Sequence, residues 1–400
     1  MRHRQLNSAR LYSIPRVVCN HLSSTLSGAL CVLLAAAAGC GRESRVVRIA
    51  VAMPLTGPTA PTGTGALRAI ELAVAEAQGT GAFPYKLEVV PVDDRGDGET
   101  AVNVANLIVS KPDVVAVIGH LHSETALRAA PVYARAGLPL LVPGATNPDL
   151  TLRQLSPDWP GPRNVFRLLP HDGIQGRALA EFAFNTLRLR RLAVIHEKTL
   201  YGEGLAQEVR ARFTSLGGGV PLFEAIQRGS QDFSAWPAKL KNVDGVFYGG
   251  IYVEAGLLLK RLRDFGWKGR FLAGDGARAP EIFDVAGSAV EGAYFSTPGL
   301  PPDALPDAHR FLEAYRNRYP GEALGVYDHF AYEAAELLLD AIAQVGPDRA
   351  KLLDSMRRTD RYGILGRTRF DAKGDVRERR ISIWKADAES RSFLLRLDHQ

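Results

Sequence analysis

The sequence predicts an α/β protein made of two doubly wound parallel-sheet lobes. Three observations carry that expectation. Short β-branched runs alternate with amphipathic helical segments, and the alternation occurs in two successive series. Val114 to Ile118 is a near-continuous apolar run, the pattern of a strand buried on both faces of a parallel sheet. The 400 residues also exceed what one hydrophobic core usually fills, so two stacked lobes fit better than one very wide sheet.

The first series opens with the strand run VVRIAVAMPL from Val46, followed by a turn rich in Gly, Pro and Thr over Thr56 to Gly65. Leu67, Ile70, Val74 and Ala77 then recur on one helical face. A strand over Leu87 to Val92, the turn DDRGDG and a helix over Glu99 to Val109 form the next unit. After Val114 to Ile118 a helix starts near Ser123, and Leu138 to Val142 closes the series. Asp172 and Gln175 have the spacing of a capping box that opens a helix running to Leu187. The second series has strands at Leu192 to His196, Val243 to Tyr248, Phe271 to Leu272 and Ala293 to Ser296, with helices near 203–216, 253–265 and 307–319. A long helix over Tyr327 to Gln344 follows, then a Gly-rich region with further strands, including Ile381 to Trp384.

The net charge of +6 at first invites a polyanionic partner. Its distribution argues otherwise. Arg2, Arg4, Arg10 and Arg16 stand before an apolar run from Leu26 to Ala38, with no acidic residue before position 40, which is the three-part pattern of a secretory signal. The run ends at Ala37-Ala38-Gly39-Cys40, similar to a bacterial lipobox, so Cys40 is read as a lipid anchor and residues 1–40 as a leader. Without the leader the chain carries 45 basic against 43 acidic residues, and no partner of nucleic acid is expected. The cysteines, at 19, 31 and 40, leave none for a disulfide or a zinc site beyond the leader. A cell-envelope lipoprotein, touching the membrane through its lipid only, is the consequence.

Chemistry-bearing motifs are missing. Gly63-Thr-Gly65-Ala-Leu-Arg68 lacks the third glycine of a dinucleotide loop, and no GxSxG, Walker A, HExxH or CxxC sequence occurs after the leader. His120 and His122 alternate at a strand end, yet no third metal ligand stands near, so ordinary hydrogen bonds suit them better. The expectation is a binding protein with no catalytic group, cofactor or metal.

Three loops suit a zwitterion. In AVIGHLHSETALRAA, Ser123 occupies an N-cap place, where free N–H groups of the helix start favour a carboxylate. In PLLVPGATNPDLT, Gly144 lets the backbone approach a ligand, Ala145 follows and Thr146 offers a hydroxyl. In FLAGDGA, Asp275 stands between glycines after a short strand and suits an ammonium group. Each loop follows a strand, the end at which open α/β sheets bind ligands.

The stretches AVIGHLHSETALRAAPVYARAGLPLLVPGATNPDLT, HEKTLYGEGLA, FYGGIYVEAG and FDAKGD resemble the leucine/isoleucine/valine-binding proteins of bacterial ABC importers, from about Val46 to about Trp384. The resemblance implies the type I periplasmic binding protein fold: residues 46–171 and 299–376 as lobe 1, residues 172–298 and 377–400 as lobe 2, joined by a three-segment hinge. It implies a monomer that captures a small amino acid, branched-chain or related, and hands it to permease and ATPase subunits. It places the ligand carboxylate at Ser123, Thr146 and the Gly144–Ala145 backbone, the ammonium at Asp275, and aromatic walls at Tyr201 and Tyr327.

The chain also departs from the pattern. Asp275 replaces the usual Glu, so an ammonium must sit deeper or be reached through water. Ile251, followed by Tyr252, stands where the family often has Tyr, and Thr62 replaces an aromatic residue. Gly96 and His122 stand where leucine-binding members have a disulfide, leaving His122 to point into the pocket or to fill the place of the bridge. These changes weaken the case for leucine itself. An amide, urea or aromatic acid as cargo, or a sensing role, remains an alternative.

Overall fold

The computed structural model describes residues 45–378 and 380–399. The leader expected over residues 1–40 and the acylation site Cys40 lie outside them. In β1 (Val46–Met53) side chains alternate between two cores: Ile49, Val51 and Met53 enter one, Ala50 and Ala52 the other. A strand with both faces covered belongs in the middle of a sheet, and β1 lies between β2 (Lys86–Asp93) and β3 (Val114–Gly119). β4 (Leu140–Val142) and β5 (Val165–Arg167) complete five parallel strands in the order β2-β1-β3-β4-β5. The intervening helices are α1 (Ala60–Gly79), α2 (Gly98–Val109) and α3 (Ser123–Arg135). Pro61 sits in the first turn of α1, so helix replaces half of the turn expected over Thr56 to Gly65.

The second sheet repeats this design. Helix α4 (Asp172–Glu181) leads to β6 (Arg191–Glu197), α5 (Leu200–Ser215), β7 (Gly219–Ile226) and β8 (Gly245–Gly249). Then come α6 (Tyr252–Asp264), β9 (Arg270–Ala273) and β10 (Tyr294–Pro298). The parallel strands run β7-β6-β8-β9-β10, the same doubly wound order, with two antiparallel strands added beyond β10. Helices α4 and α5 cover one face around Leu179, Val194, Leu205 and Phe213. On the other, α6 contributes Leu258 and Leu262 against Ile195 and Val246.

The chain then returns. Helices α7 (His309–Arg318), α8 (Asp328–Val345) and α9 (Arg349–Arg357) pack on the first sheet together with α1, placing Phe311, Phe330, Leu338 and Leu352 in one core with Ile70. A hairpin of β11 (Asp360–Gly363) and β12 (Gly366–Arg369) follows, and β13 (Ile381–Asp387) and β14 (Ser392–His399) join the second sheet. Two of the three passages between sheets are bonded to each other: Gly299 N donates to Arg380 O at 2.8 Å, and Ser382 Oγ to Gly299 O at 2.7 Å.

Four elements have no counterpart in the sequence reading: β5, β7, α9 and β14. β7, GVPLFEAI, carries Pro221 and Glu224 in a run of mixed polarity, which an edge strand tolerates and a central strand would not. The capping box at Asp172 is corrected. His171 is the N-cap and its Nδ1 accepts from Gly173 N at 3.2 Å, while the Gln175 amide donates to Asp275 Oδ1 at 3.0 Å. The α-helix ends at Glu181 and continues as a wider turn over Phe182–Thr186. Among the described residues no helix is long and apolar enough to cross a membrane.

Candidate ligand-binding cleft

Both sheets aim the carboxyl ends of their strands at one cleft with about 660 Å³ of empty space. From the first sheet come Thr59 and Thr62 after β1, Gly96 after β2, His122 and Ser123 after β3, and Gly144 and Thr146 after β4. The second contributes Glu197 and Tyr201 after β6, Arg228 after β7, Ile251 and Tyr252 after β8, and Gly276 after β9. Tyr327, ahead of α8, also lines the space. Of the nine residues singled out in the sequence, seven meet here: His122, Ser123, Gly144, Thr146, Tyr201, Ile251 and Tyr327.

The wall from the first sheet favours an anion. α3 begins at Ser123, and the unpaired N–H groups of its first turn lie at the cleft. Ser123 is not the N-cap, which corrects the expectation: His122 takes that place, and Ser123 Oγ instead accepts from Asn147 N at 3.2 Å. That bond ties the serine to the loop of Gly144 and Thr146. A Cβ on Gly144 would lie 2.6 Å from Leu121 Cδ1, so glycine is needed for the two loops to pack. Ala145 turns into the core and does not line the cleft, which removes its side chain from the site. Arg167, fully buried, holds the loop from below by donating to Asn147 O at 2.7 Å and Thr151 Oγ1 at 3.0 Å, while pairing with Asp375 at 2.6 Å.

The opposite wall favours a cation, though by a different arrangement than expected. Asp275 is buried and lines a recess adjoining the cleft, which shares Thr62, Gly276 and Tyr327 with it. Its Oδ1 accepts from Tyr201 Oη at 2.8 Å and Gln175 Nε2 at 3.0 Å, and its Oδ2 from Tyr327 Oη at 2.7 Å. Burial pushes the Asp275 carboxyl up and these three hydrogen bonds pull it back. Burial and the nearby Asp275 hold Asp172 well above the usual carboxylate range. Both tyrosines are pushed well above their ordinary range by burial and so keep their protons. The cleft therefore meets two phenol oxygens whose hydrogens point back at a carboxylate; Tyr201 Oη already accepts from Gly276 N at 2.9 Å, so Tyr327 Oη is the freer acceptor for an incoming N–H group.

The third region joins the pair Gly96 and His122, expected from the resemblance to stand at the place of a disulfide, to two residues beyond the sequence reading, Glu197 and Arg228. The His122 imidazole rests against Gly96, whose φ of 63° and missing Cβ make the room: a Cβ there would stand 2.6 Å from His122 Nδ1. Burial lowers His122 to about 4, so the ring is neutral near pH 7. His120 goes elsewhere, bridging Asp94 at 2.6 Å and Tyr133 at 3.0 Å in the core. Glu197 and Arg228 have no motif around them. What marks them in the sequence is a charged residue at or just beyond the carboxyl end of a strand, the same signal that singled out Asp275. Glu197 is 1% exposed, and burial raises its carboxyl to about 7. Among the described residues no cluster of three or more His, Cys, Asp or Glu side chains is placed to hold a metal.

Hydrogen bonds among the described residues join the walls across the cleft. Tyr252 Oη donates to Pro58 O, Asn147 Nδ2 to Leu200 O at 3.0 Å, and Tyr327 Oη to Asp275. Two doubly wound sheets facing a cleft with an anion-favouring and a cation-favouring wall define a two-lobed solute-binding protein. Residues 46–390 match the periplasmic binding protein family, and the chain belongs to it. A Leu/Ile/Val-binding protein homologue of Brucella abortus is 34% identical over 351 residues, 86% of this chain and 91% of that protein. The leucine-, isoleucine-, valine-, threonine- and alanine-binding protein of Pseudomonas aeruginosa is 32% identical over 86% of this chain and 91% of its own length. The crystal structure of a leucine-binding protein from Thermotoga maritima has the same fold, type I, with a TM-score of 0.79 at 31% identity, covering 88% of this chain and 98% of that one.

Proposed function

We propose that this protein is the extracytoplasmic solute-binding component of an ABC importer and captures a small amino acid by closure of its two lobes. The observation that supports the reading best is the placement of Asp275 behind Tyr201 and Tyr327, across the cleft from Ser123 and Thr146. The amino acid carboxylate meets the Ser123 hydroxyl, the first N–H groups of α3, Thr146 and the Gly144 backbone. Its ammonium donates to Tyr327 Oη and to the acceptor capacity that Tyr201 Oη retains beside Gly276 N, and the hydrogen bonds of both phenols to Asp275 make them better acceptors. Asp275 thus acts through the tyrosines rather than by direct contact.

The lobes are residues 46–171 with 299–376, and 172–298 with 377–400, and the three passages between them form the hinge. Closure is favoured only by as much as the ligand binds the closed form more tightly. Micromolar affinity, about 8 kcal/mol, suits both capture and release. The leader over residues 1–40 exports the chain, acylated Cys40 tethers it to the membrane, and the closed monomer delivers its cargo to permease and ATPase subunits. Isothermal titration against the twenty amino acids tests the reading: heat with a subset is expected, and no heat with any overturns it.

A further inference from the structure

We infer that the cleft selects an amino acid whose side chain ends in a carboxylate, with Arg228 as that group's partner. The inference rests on the amino-acid reading above and names the substrate class within it. Arg228 lines the cleft from the loop after β7 and makes no hydrogen bond or ion pair with any described residue. Arg361, by contrast, meets Glu333, Glu336 and Asp340, and Arg278, whose Nε also lacks a hydrogen bond, lies over the Trp384 and Phe393 rings. The loop that carries Arg228 is held in place. Glu254, buried on α6, accepts from Gly229 N at 2.6 Å, and Gly229 takes a φ of 87° that a side chain would resist. A cation on a pinned loop, lining a cleft without a hydrogen bond or ion pair and with the raised carboxyl of Glu197 as the acidic group it acts on at longer range, is placed to receive an anion from outside the chain.

The surroundings agree. The neutral His122 ring lines the same cleft, with its Nδ1 turned against Gly96. Glu197 spends its oxygens on weak bonds, Oε1 accepting from Thr199 Oγ1 at 3.2 Å and Oε2 from Ile251 N at 3.4 Å. With its carboxyl raised to about 7 it carries a proton for much of the time near neutrality and can donate it to a ligand oxygen. Thr59 and Thr62 add two hydroxyls, leaving Leu121 and Ile251 as the aliphatic lining of the cleft. An aliphatic ligand side chain would strip water from Arg228 and return no hydrogen bond. A carboxylate supplies one.

Isothermal titration of the protein and of Arg228→Met with L-glutamate, L-aspartate, L-glutamine and L-leucine is the test. An acidic amino acid should bind at least tenfold more tightly than glutamine or leucine. Arg228→Met should lose at least tenfold for the acidic ligand with leucine unchanged or tighter, and should shift its thermal midpoint little because Arg228 makes no hydrogen bond or ion pair within the chain and acts on Glu197 only at longer range. Leucine or glutamine binding as tightly as the acidic ligands, or equal losses for all ligands in Arg228→Met, overturns the inference and leaves the amino-acid reading standing. Binding of none of the twenty amino acids overturns both.

Discussion

The Tyr327 hydroxyl donates to Asp275 Oδ2 at 2.7 Å, joining the start of a helix packed on the first sheet to a loop of the second. One hydrogen bond thus serves the ligand wall and the contact between lobes. Replacing it with Phe leaves a buried carboxyl oxygen short of a donor, at a cost of about 1–3 kcal/mol. Tyr327→Phe should therefore weaken amino-acid binding about tenfold or more by titration calorimetry. Unchanged affinity would remove Tyr327 from the ligand site.

Tyr252 offers a test of closure. Its hydroxyl reaches the Pro58 carbonyl on the opposite lobe. Tyr252→Phe removes about 1 kcal/mol from the closed form, so affinity should fall about fivefold and the ligand-free radius of gyration by X-ray scattering should rise. An unaltered scattering profile together with unaltered affinity would show that this contact does not bias the equilibrium.

Arg167 carries stability rather than recognition. It pairs with Asp375 and holds Asn147 and Thr151, all from a fully buried position. Arg167→Met leaves the Asp375 carboxylate to Lys373 alone, whose Nζ lies 3.1 Å from Oδ2, and should cost about 1–3 kcal/mol and lower the melting temperature by on the order of 5 °C. Asp375 lies below the usual carboxylate range, chiefly because Arg167 beside it outweighs the opposing effect of burial. A melt within 2 °C of the parent, roughly the effect of a change below 1 kcal/mol, would contradict this account.

Acid sensitivity should trace to His329. Burial lowers this histidine to about 3, with Arg278 adding to the effect. The unfolded chain titrates near its ordinary value of about 6.5, so below it the unfolded state binds more protons. The stabilisation is complete above that value and is lost as pH falls toward 3. His122, lowered to about 4, acts in the same direction, whereas Glu197, raised to about 7, favours folding at low pH and loses that contribution as pH rises through 7. His329→Leu should therefore lose less stability than the parent between pH 7 and pH 4.5 in denaturant titrations. Parallel losses would exclude His329 as a source.

Much of the site was legible because the clues were local. Strand ends followed by Ser123, Gly144, Thr146 and Asp275 are readable wherever a buried apolar run stops at a small or polar residue. The error over Asp275 has an equally plain cause: the loop sequence shows a carboxylate between glycines but not that Tyr201 and Tyr327, 74 and 52 residues away, lie over it. The misplaced cap at Ser123 was a difference of one residue, decided by where the chain leaves helical geometry. β7 was missed because an edge strand need not show the apolar pattern of a central one.

By itself the sequence determined the α/β class, the order of most elements and the loops that carry ligand-facing groups, because burial periodicity and turn chemistry act over a few residues. The tertiary structure alone decided that Asp275 is covered by two tyrosines, and that Glu197 and Arg228 complete the cleft. These groups come from loops on two different sheets and meet only when the sheets face each other. Their charge states follow from the burial that this meeting creates.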